Sequence, residues 1–204
     1  GPSADETLEG GAGNDVLHAG GGRDVLRGGE GDDTLQSGTG DDRIDGGPGF
    51  DYLYFPDATA GVQIDLRSGT TTGGAGRDTI SGVELVFGTP FADTFVGDDG
   101  GGGLLGGGGH DSLICGAARG HPGGKGGDDT IDDLGGVDRV AYYSAAGPVD
   151  VDLSAGRATG GLGADVLRNV EDVVGSVFPD QLKGTPGDNR LEGADGDDRF
   201  IATD

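Results

Sequence analysis

The chain has 204 residues, of which 49 are glycine, and it contains neither tryptophan nor methionine. Only 32% of its residues are hydrophobic, and 37 acidic against 13 basic side chains give a formal net charge of -24. This combination is typical of chains that stay disordered in water, so it excludes a conventional apolar core, and the lack of a basic surface excludes nucleic acid as a partner.

The first nine residues match the rest of the chain poorly. Gly1-Pro2 is typical of a scar left by protease cleavage of a tag, and Glu6 stands where later repeats have aspartate. We therefore expect residues 1–9 to be a scar followed by a degenerate N-terminal cap. No apolar run approaches the roughly 18 residues of a membrane helix, so membrane insertion is not expected.

Residues 10–54 consist of five consecutive nonapeptides: GGAGNDVLH, AGGGRDVLR, GGEGDDTLQ, SGTGDDRID and GGPGFDYLY. Each fits G-G-x-G-x-D-x-U-x, in which U is a large apolar residue. This pattern resembles the Ca²⁺-binding nonapeptide repeat of the RTX (haemolysin-type) family. The resemblance implies an all-β fold, a parallel β-roll or β-solenoid in which six residues form a turn and three form a short strand.

Residues 55–87 interrupt the repeats. The alternating pattern of VQIDL (62–66) predicts a half-buried strand, and further strands are expected around Asp78-Thr79-Ile80 and residues 83–86. These longer strands would continue or cap the solenoid, although a small separate sheet is an alternative. Thr70-Thr71-Thr72 could suggest an ice-binding face, but such a run does not recur at the coil spacing.

The repeat returns in a worn form over residues 88–141, as GTPFADTFV, GGGGHDSLI, GKGGDDTID and DLGGVDRVA. In residues 97–105 the sixth position is Gly102, which predicts a weak or empty site. Residues 115–123 break the register, and we expect a loop there. The only cysteine, Cys115, excludes an internal disulfide. The three histidines, His18, His110 and His121, do not cluster in sequence with it, so a zinc site is not expected.

Residues 142–174 duplicate residues 55–87, and a last repeat block occupies residues 175–204. Aspartates recur at a constant offset, since Asp42 and Asp129 stand 87 positions apart, as do Asp78 and Asp165. The chain is therefore a tandem duplication. In the last block the sixth position of residues 184–192 is Asn189, which again predicts a weak or empty site.

Calcium is the predicted cofactor, because oxygen ligands without histidine or cysteine favour Ca²⁺ over transition metals. About a dozen divalent ions would offset the net charge of -24. The predicted position-six ligands are Asp15, Asp24, Asp33, Asp42, Asp51, Asp93, Asp111, Asp129, Asp138, Asp180 and Asp198.

Neighbouring positions supply the remaining predicted ligands. The position-five side chains are Asn14, Asp32, Asp41, Asp128, Asp188 and Asp197. The glycines whose carbonyls would approach an ion are Gly11, Gly13, Gly20, Gly22, Gly29, Gly31, Gly38, Gly40, Gly47, Gly49, Gly107, Gly109, Gly127 and Gly196. The resemblance implies two nonapeptides per coil, so that Asp15 and Asp33 share ions on one edge and Asp24 and Asp42 on the other.

Position eight supplies the predicted core, a thin stack of inward side chains. Its members are Leu17, Leu26, Leu35, Ile44, Leu53, Phe95, Leu113, Ile131, Val140, Leu191 and Phe200. A permanently disordered linker, the alternative for a chain rich in aspartate and glycine, has no reason to keep an apolar residue at every ninth position.

The resemblance implies a bacterial protein that is exported by a type I pathway, is located outside the cell or at its surface, and folds when it binds extracellular Ca²⁺. The alternative is an adhesive or carbohydrate-binding module of a larger surface protein or secreted enzyme, in which exposed Tyr52, Tyr54, Tyr142 and Tyr143 contact a partner such as a surface glycan or a fused domain. No catalytic role is expected, since neither GxSxG nor HExxH occurs and the aspartate pairs repeat.

Overall fold

The computed structural model describes residues 4–100, 102–116, 122–123, 126–132 and 135–203. Gly1-Pro2 of the expected scar and residues 117–121 of the expected loop lie outside this part of the chain. None of the described residues lies in a helix, and accordingly no described helix is long and apolar enough to cross a membrane.

Short strands account for the regular structure. Over the described residues they are β1 (Thr7–Ala12), β2 (Val16–His18), β3 (Val25–Glu30), β4 (Thr34–Gln36), β5 (Arg43–Asp45), β6 (Tyr52–Tyr54), β7 (Val62–Asp65), β8 (Thr70–Gly73), β9 (Thr79–Ser81), β10 (Leu85–Phe87), β11 (Thr94–Val96), β12 (Gly103–Leu105), β13 (Ser112–Ile114), β14 (Thr130–Asp132), β15 (Arg139–Ala141), β16 (Val149–Asp152), β17 (Arg157–Gly160), β18 (Gly163–Arg168), β19 (Asp172–Val174), β20 (Gln181–Lys183), β21 (Leu191–Glu192) and β22 (Arg199–Ile201).

The strands form a parallel β-solenoid with two faces, which confirms the all-β fold class. One face is a 14-stranded sheet, in the order β1-β3-β5-β9-β8-β7-β11-β13-β14-β18-β17-β16-β20-β22. The opposite face consists of a 5-stranded sheet, β12-β10-β6-β4-β2, and a 3-stranded sheet, β15-β19-β21. Leu8 pairs with Leu26, and Leu26 with Ile44, so each regular coil contains two nonapeptides.

The core is the narrow space between the two faces. Leu26, Leu35, Ile44 and Leu53 are completely buried, because each points inward from a short strand and stacks on its counterpart one coil away. Burial of one such side chain contributes about 1.5–3 kcal/mol. The solenoid thus has an apolar core that is one side chain wide on each face.

The segments between the repeat blocks contribute antiparallel hairpins to the 14-stranded sheet. β7 pairs with β8 antiparallel and with β11 parallel, and β8 also pairs antiparallel with β9. The duplicate hairpin, β16 and β17, pairs in the same way with β20 and β18. The longer strands therefore continue the solenoid sheet, and β8 and β17, which the sequence pattern did not indicate, complete the hairpins.

The last coil differs from the predicted core. Phe200 was expected to be buried, but 52% of its surface is exposed. The reason is its place on β22, the terminal strand of the 14-stranded sheet, where no following strand covers it. Leu191 is half-buried, whereas the position-eight residues from Leu17 to Val140 are buried.

Candidate metal-binding edges

The turns between the faces form two edges of the solenoid. We call edge one the turns that lead from the 14-stranded sheet to the opposite face, and edge two the turns that lead back. Edge one contains Asp15, Asp33, Asp51 and Asp138. Edge two contains Asp24, Asp42, Asp93, Asp111, Asp129, Asp180 and Asp198.

On each edge the aspartates form a ladder along the solenoid axis. On edge one the backbone N–H of Asp15 donates to Oδ1 of Asp33, and that of Asp33 donates to Oδ1 of Asp51, both at 2.8 Å. On edge two the N–H of Asp24 donates to Oδ1 of Asp42 at 2.8 Å. Each of these side chains therefore uses one oxygen to hold the neighbouring coil.

The second carboxylate oxygen of several ladder aspartates is buried and receives no hydrogen bond from any described residue. Asp24, Asp33 and Asp51 are completely buried, and Asp42 and Asp111 are 3% exposed. A buried charged oxygen without a donor is costly, and a cation beside these atoms would offset that cost. The aspartates whose Oδ2 atoms are in this state are Asp15, Asp24, Asp33, Asp42, Asp51 and Asp111.

The glycines of these turns hold a backbone that other residues rarely adopt. The glycines whose carbonyls are predicted to bind the ion all have positive φ, from +77° at Gly38 to +158° at Gly49. A Cβ on Gly29 would collide with the carbonyl oxygen of Gly11 in the neighbouring coil, and one on Gly28 would collide with Oδ2 of Asp33. Glycine is thus required both for the turn and for the close approach of carbonyls and carboxylates.

The position-five side chains lie farther out and form a second, exposed ladder. Oδ1 of Asn14 accepts the N–H of Asp32, and Oδ1 of Asp32 accepts the N–H of Phe50, both at 3.0 Å. Asp41 and Asp128 accept the N–H groups of Arg77 and Ala164. Asp188 and Asp197 are exposed.

Burial also raises the pKa of several ladder carboxyls, namely Asp42, Asp51, Asp93, Asp111 and Asp129. The pKa of Asp111 is raised to about 7, mainly by burial and further by the Asp129 and Asp93 carboxylates, against the opposing effect of the Asp93 N–H hydrogen bond. Burial and nearby carboxylates raise the pKa of Asp42 to about 6. A carboxyl with a raised pKa in the folded state destabilises the fold at pH values above that pKa and ceases to do so in acid, so the folded chain needs counter-charge at neutral pH.

The donor set fits calcium. Within the described part of the chain no three His, Cys, Asp or Glu side chains converge on one point, so an ion on either edge would be held by one or two carboxylates together with backbone carbonyls. Such hard oxygen ligands suit Ca²⁺. Bound there, the ion would supply the positive charge that the buried Oδ2 atoms lack.

Two predicted ligands have their second oxygens satisfied by the protein itself. Oδ2 of Asp93 accepts the N–H of Thr89 at 2.6 Å, and the Thr89 hydroxyl donates to Oδ1 at 2.9 Å. Asp180 receives the same two bonds from Ser176, with the hydroxyl at 2.7 Å. Asn189, where a weak or empty site was predicted, is held likewise by Thr185.

The ladders also include carboxylates that were not predicted as site residues. Oδ1 of Asp78 accepts the N–H of Asp42 at 3.0 Å, and Asp165 takes the same place beside Asp129 at 3.1 Å. Glu84 accepts the N–H of Asp51 at 2.8 Å. The offset of the duplication could have revealed these positions, because each recurs as a carboxylate in the second copy.

Hydroxyl groups occupy the second oxygens of Asp78 and Asp165. Thr71 donates to Oδ2 of Asp78 at 2.6 Å, and Tyr142 donates to Oδ2 of Asp165 at 3.1 Å. Tyr142 is only 1% exposed, so the expectation that it lies on the surface was wrong; its ring fills the core and its hydroxyl serves a buried carboxylate.

Comparison with known protein families agrees with this geometry. The family model of the RTX calcium-binding nonapeptide repeat matches the chain in four copies, over residues 3–35, 18–53, 72–82 and 174–204. Comparison with curated proteins finds no matching sequence. RTX nonapeptide repeats bind Ca²⁺, and the stacked, buried aspartates of both edges fit that ion.

Proposed function

Because the chain carries RTX calcium-binding nonapeptide repeats, we propose that it is a module of a secreted bacterial protein that folds when extracellular Ca²⁺ fills its turns. We assign it no catalytic role. The proposed ligands are the position-six aspartates with open second oxygens and the carbonyls of the positive-φ glycines in the same turns.

One observation carries this proposal, namely the buried Oδ2 atoms on both edges that lack a donor within the described structure. Removing the partner of a buried charge typically costs about 3–5 kcal/mol. The summed cost of several such atoms exceeds the free energy of unfolding of an ordinary domain, which is about 5–15 kcal/mol. Without a cation the folded solenoid is therefore expected to be unstable at neutral pH.

Calcium binding can supply the missing stability. Modules that work outside cells bind Ca²⁺ with dissociation constants of about 10⁻⁴–10⁻³ M. An ion that binds only the folded chain stabilises it by about 1.4 kcal/mol per site at ten times the dissociation constant, and several sites sum to the stability of a domain. Sites of this affinity would be empty at cytosolic calcium and filled outside, which supports folding after export.

A calcium titration followed by far-UV circular dichroism tests the proposal, with small-angle X-ray scattering as a measure of compactness. We expect a disordered, expanded chain in EGTA and a β-rich, compact chain in millimolar Ca²⁺, with full reversal on chelation. Magnesium at the same concentration serves as the control and should be far less effective, because it demands stricter geometry. An equally compact β-rich chain in EGTA would refute the proposal.

A second candidate function is glycan binding, and one surface feature favours it. On the outer side of the 5-stranded sheet the rings of Tyr54 and Phe87 stack with centroids 4.3 Å apart. Tyr54 also lines an open groove of about 300 Å³ whose lining includes Thr34 and Gln36. Flat rings beside hydroxyl and amide groups suit the apolar and polar sides of a sugar.

A glycan array in calcium tests this candidate. Binding should be lost on Tyr54→Ala and retained on Tyr143→Ala, since Tyr143 is 62% exposed and lies outside the groove. An array without hits, or equal binding by both variants, would dismiss the groove as a glycan site and leave calcium-dependent folding unaffected.

A further inference from the structure

Two kinds of turn in the solenoid differ at their second position; the turns that begin at residues 97, 124, 133 and 193, with Asp98, Lys125, Leu134 and Ala194 there, belong to neither kind. In open turns this position is a glycine with positive φ, such as Gly29 at +114° and Gly107 at +96°. In the turns that begin at residues 88, 175 and 184 it is Thr89, Ser176 and Thr185, none of which has positive φ. We call these three the clasped turns.

In a clasped turn the second residue donates hydrogen bonds to the position-six side chain of the same turn. The N–H and the hydroxyl of Thr89 both donate to the Asp93 carboxylate, and the N–H of Phe91 donates back to the same hydroxyl at 3.1 Å. Ser176 and Phe178 repeat this arrangement around Asp180. The donors that close the ring all come from one turn.

The third clasped turn shows that the arrangement does not require a charge. Oδ1 of Asn189 accepts the N–H of Thr185 at 2.6 Å and its hydroxyl at 3.2 Å. The amide nitrogen of Asn189 donates to the carbonyl of Glu171 at 2.9 Å. A neutral amide thus takes the place of the carboxylate, its oxygen is already used by the two Thr185 donors, and the turn lacks the ligand charge that raises the affinity for Ca²⁺.

We infer that the second residue of each turn determines whether the turn takes calcium: glycine leaves the position-six oxygen open to the ion, whereas serine or threonine occupies it. The clasped turns then bind no Ca²⁺, and Asp93 and Asp180 leave the predicted ligand set. This inference rests on the proposed calcium binding of the open turns.

A hydroxyl in the turn, and not the absence of glycine alone, makes the difference. Ala194 stands at the second position of residues 193–198 and still adopts a φ of +70°, followed by Gly196 at +122°. The open backbone is thus kept by a residue that has no hydroxyl to donate, even though positive φ is uncommon for alanine.

The number of calcium ions bound per chain, measured by equilibrium dialysis with radioactive calcium, tests the inference. Asp93→Asn copies the natural Asn189 and should leave the number unchanged. The matched variant Asp111→Asn alters a 3% exposed aspartate whose Oδ2 lacks a donor, and it should lower the number by at least one. An equal loss in the two variants would overturn the inference.

A gain of binding provides the complementary test. Thr89→Gly combined with Phe91→Gly gives residues 88–91 the Gly-Gly-Pro-Gly pattern of residues 46–49, and the double variant should bind at least one additional ion. Circular dichroism in calcium verifies that it folds. A folded double variant with the wild-type number of ions would contradict the inference, whereas a wild-type chain that binds none would refute the proposed function itself.

Discussion

The first repeat block, residues 10–54, and the junctions around the hairpins β7–β8 and β16–β17 satisfy buried aspartates in different ways. In the first block Asp24, Asp33 and Asp42 each keep an Oδ2 without a donor among the described residues. At the junctions Asp78 and Asp93 accept hydrogen bonds from the hydroxyl groups of Thr71 and Thr89. One solenoid thus contains turns whose buried carboxylates are open to a cation and turns that supply their own hydrogen-bond donors.

The two hairpins show that the donor itself is what the junction requires. In the first copy the donor to Asp78 is Thr71, and position 55 is phenylalanine. In the second copy the position equivalent to Thr71 is Ala158, the position equivalent to Phe55 is Tyr142, and the tyrosine donates to Asp165. The hydroxyl has moved from one side chain to another while the carboxylate and its bond remain.

Calcium removal should separate the two regions most strongly. As free Ca²⁺ is lowered with buffered EGTA, the amides of β3–β6 should lose protection from hydrogen exchange at a higher calcium concentration than those of β7–β8 and β16–β17, because only the first block depends on cations at every turn. Hydrogen exchange read by mass spectrometry measures this. Loss of protection in all segments at one calcium concentration would erase the distinction.

Substitution of an open aspartate should have the next largest effect. Asp33→Asn removes the charge of a fully buried side chain whose Oδ2 lacks a donor, and it should cost about 1–3 kcal/mol in the free energy of unfolding in calcium and raise the calcium midpoint several-fold. Asp150→Asn, at an exposed position of β16 that is not a predicted ligand, is the control and should change stability by less than about 0.5 kcal/mol. Chemical denaturation in millimolar Ca²⁺ gives both values, and equal values would argue against ions at Asp33.

The last of these predictions concerns the exchanged hydroxyl. Tyr142→Phe leaves Oδ2 of the buried Asp165 without the donor at 3.1 Å and should cost about 1–3 kcal/mol. Adding Ala158→Thr copies the Phe55 and Thr71 pair of the first copy and should restore most of that loss. Thermal unfolding in calcium is the measurement.

In the first copy the reverse exchange completes the cycle. Thr71→Val should destabilise the chain, because Thr71 is 1% exposed and donates to Asp78, and Phe55→Tyr should compensate. If neither second substitution rescues its partner, the two hydroxyl groups are not equivalent and the comparison of the hairpins fails.

Much of the fold could be predicted from the sequence, because the residues that determine the turn and the strand lie within each nonapeptide. Gly28 to Leu35 contains the positive-φ glycines, the ladder aspartate and the inward leucine within a single repeat, and stacking identical repeats fixes the register. The hairpins were only partly predictable. VQIDL alternates and was recognised as a strand, whereas Thr70–Gly73 has no such apolar pattern and forms β8 through its pairing with β7.

The site was predictable down to its aspartates but not to the state of each oxygen. Asp93 and Asp111 have the same spacing from glycine and both lie on edge two. Thr89 donates a hydrogen bond to Oδ2 of Asp93, whereas no described residue donates one to Oδ2 of Asp111. Tyr142 illustrates a similar limit, since only the three-dimensional structure shows its hydroxyl beside Asp165, 23 positions away.

Diffraction from crystals grown in calcium, with anomalous differences recorded at long wavelength, tests most directly whether cations satisfy the buried carboxylates. Cation binding at these carboxylates predicts anomalous peaks within coordination distance of Oδ2 of Asp24, Asp33 and Asp42, about 2.3–2.6 Å. Well-ordered turns at these aspartates without such peaks, in crystals that contain ample calcium, would contradict it.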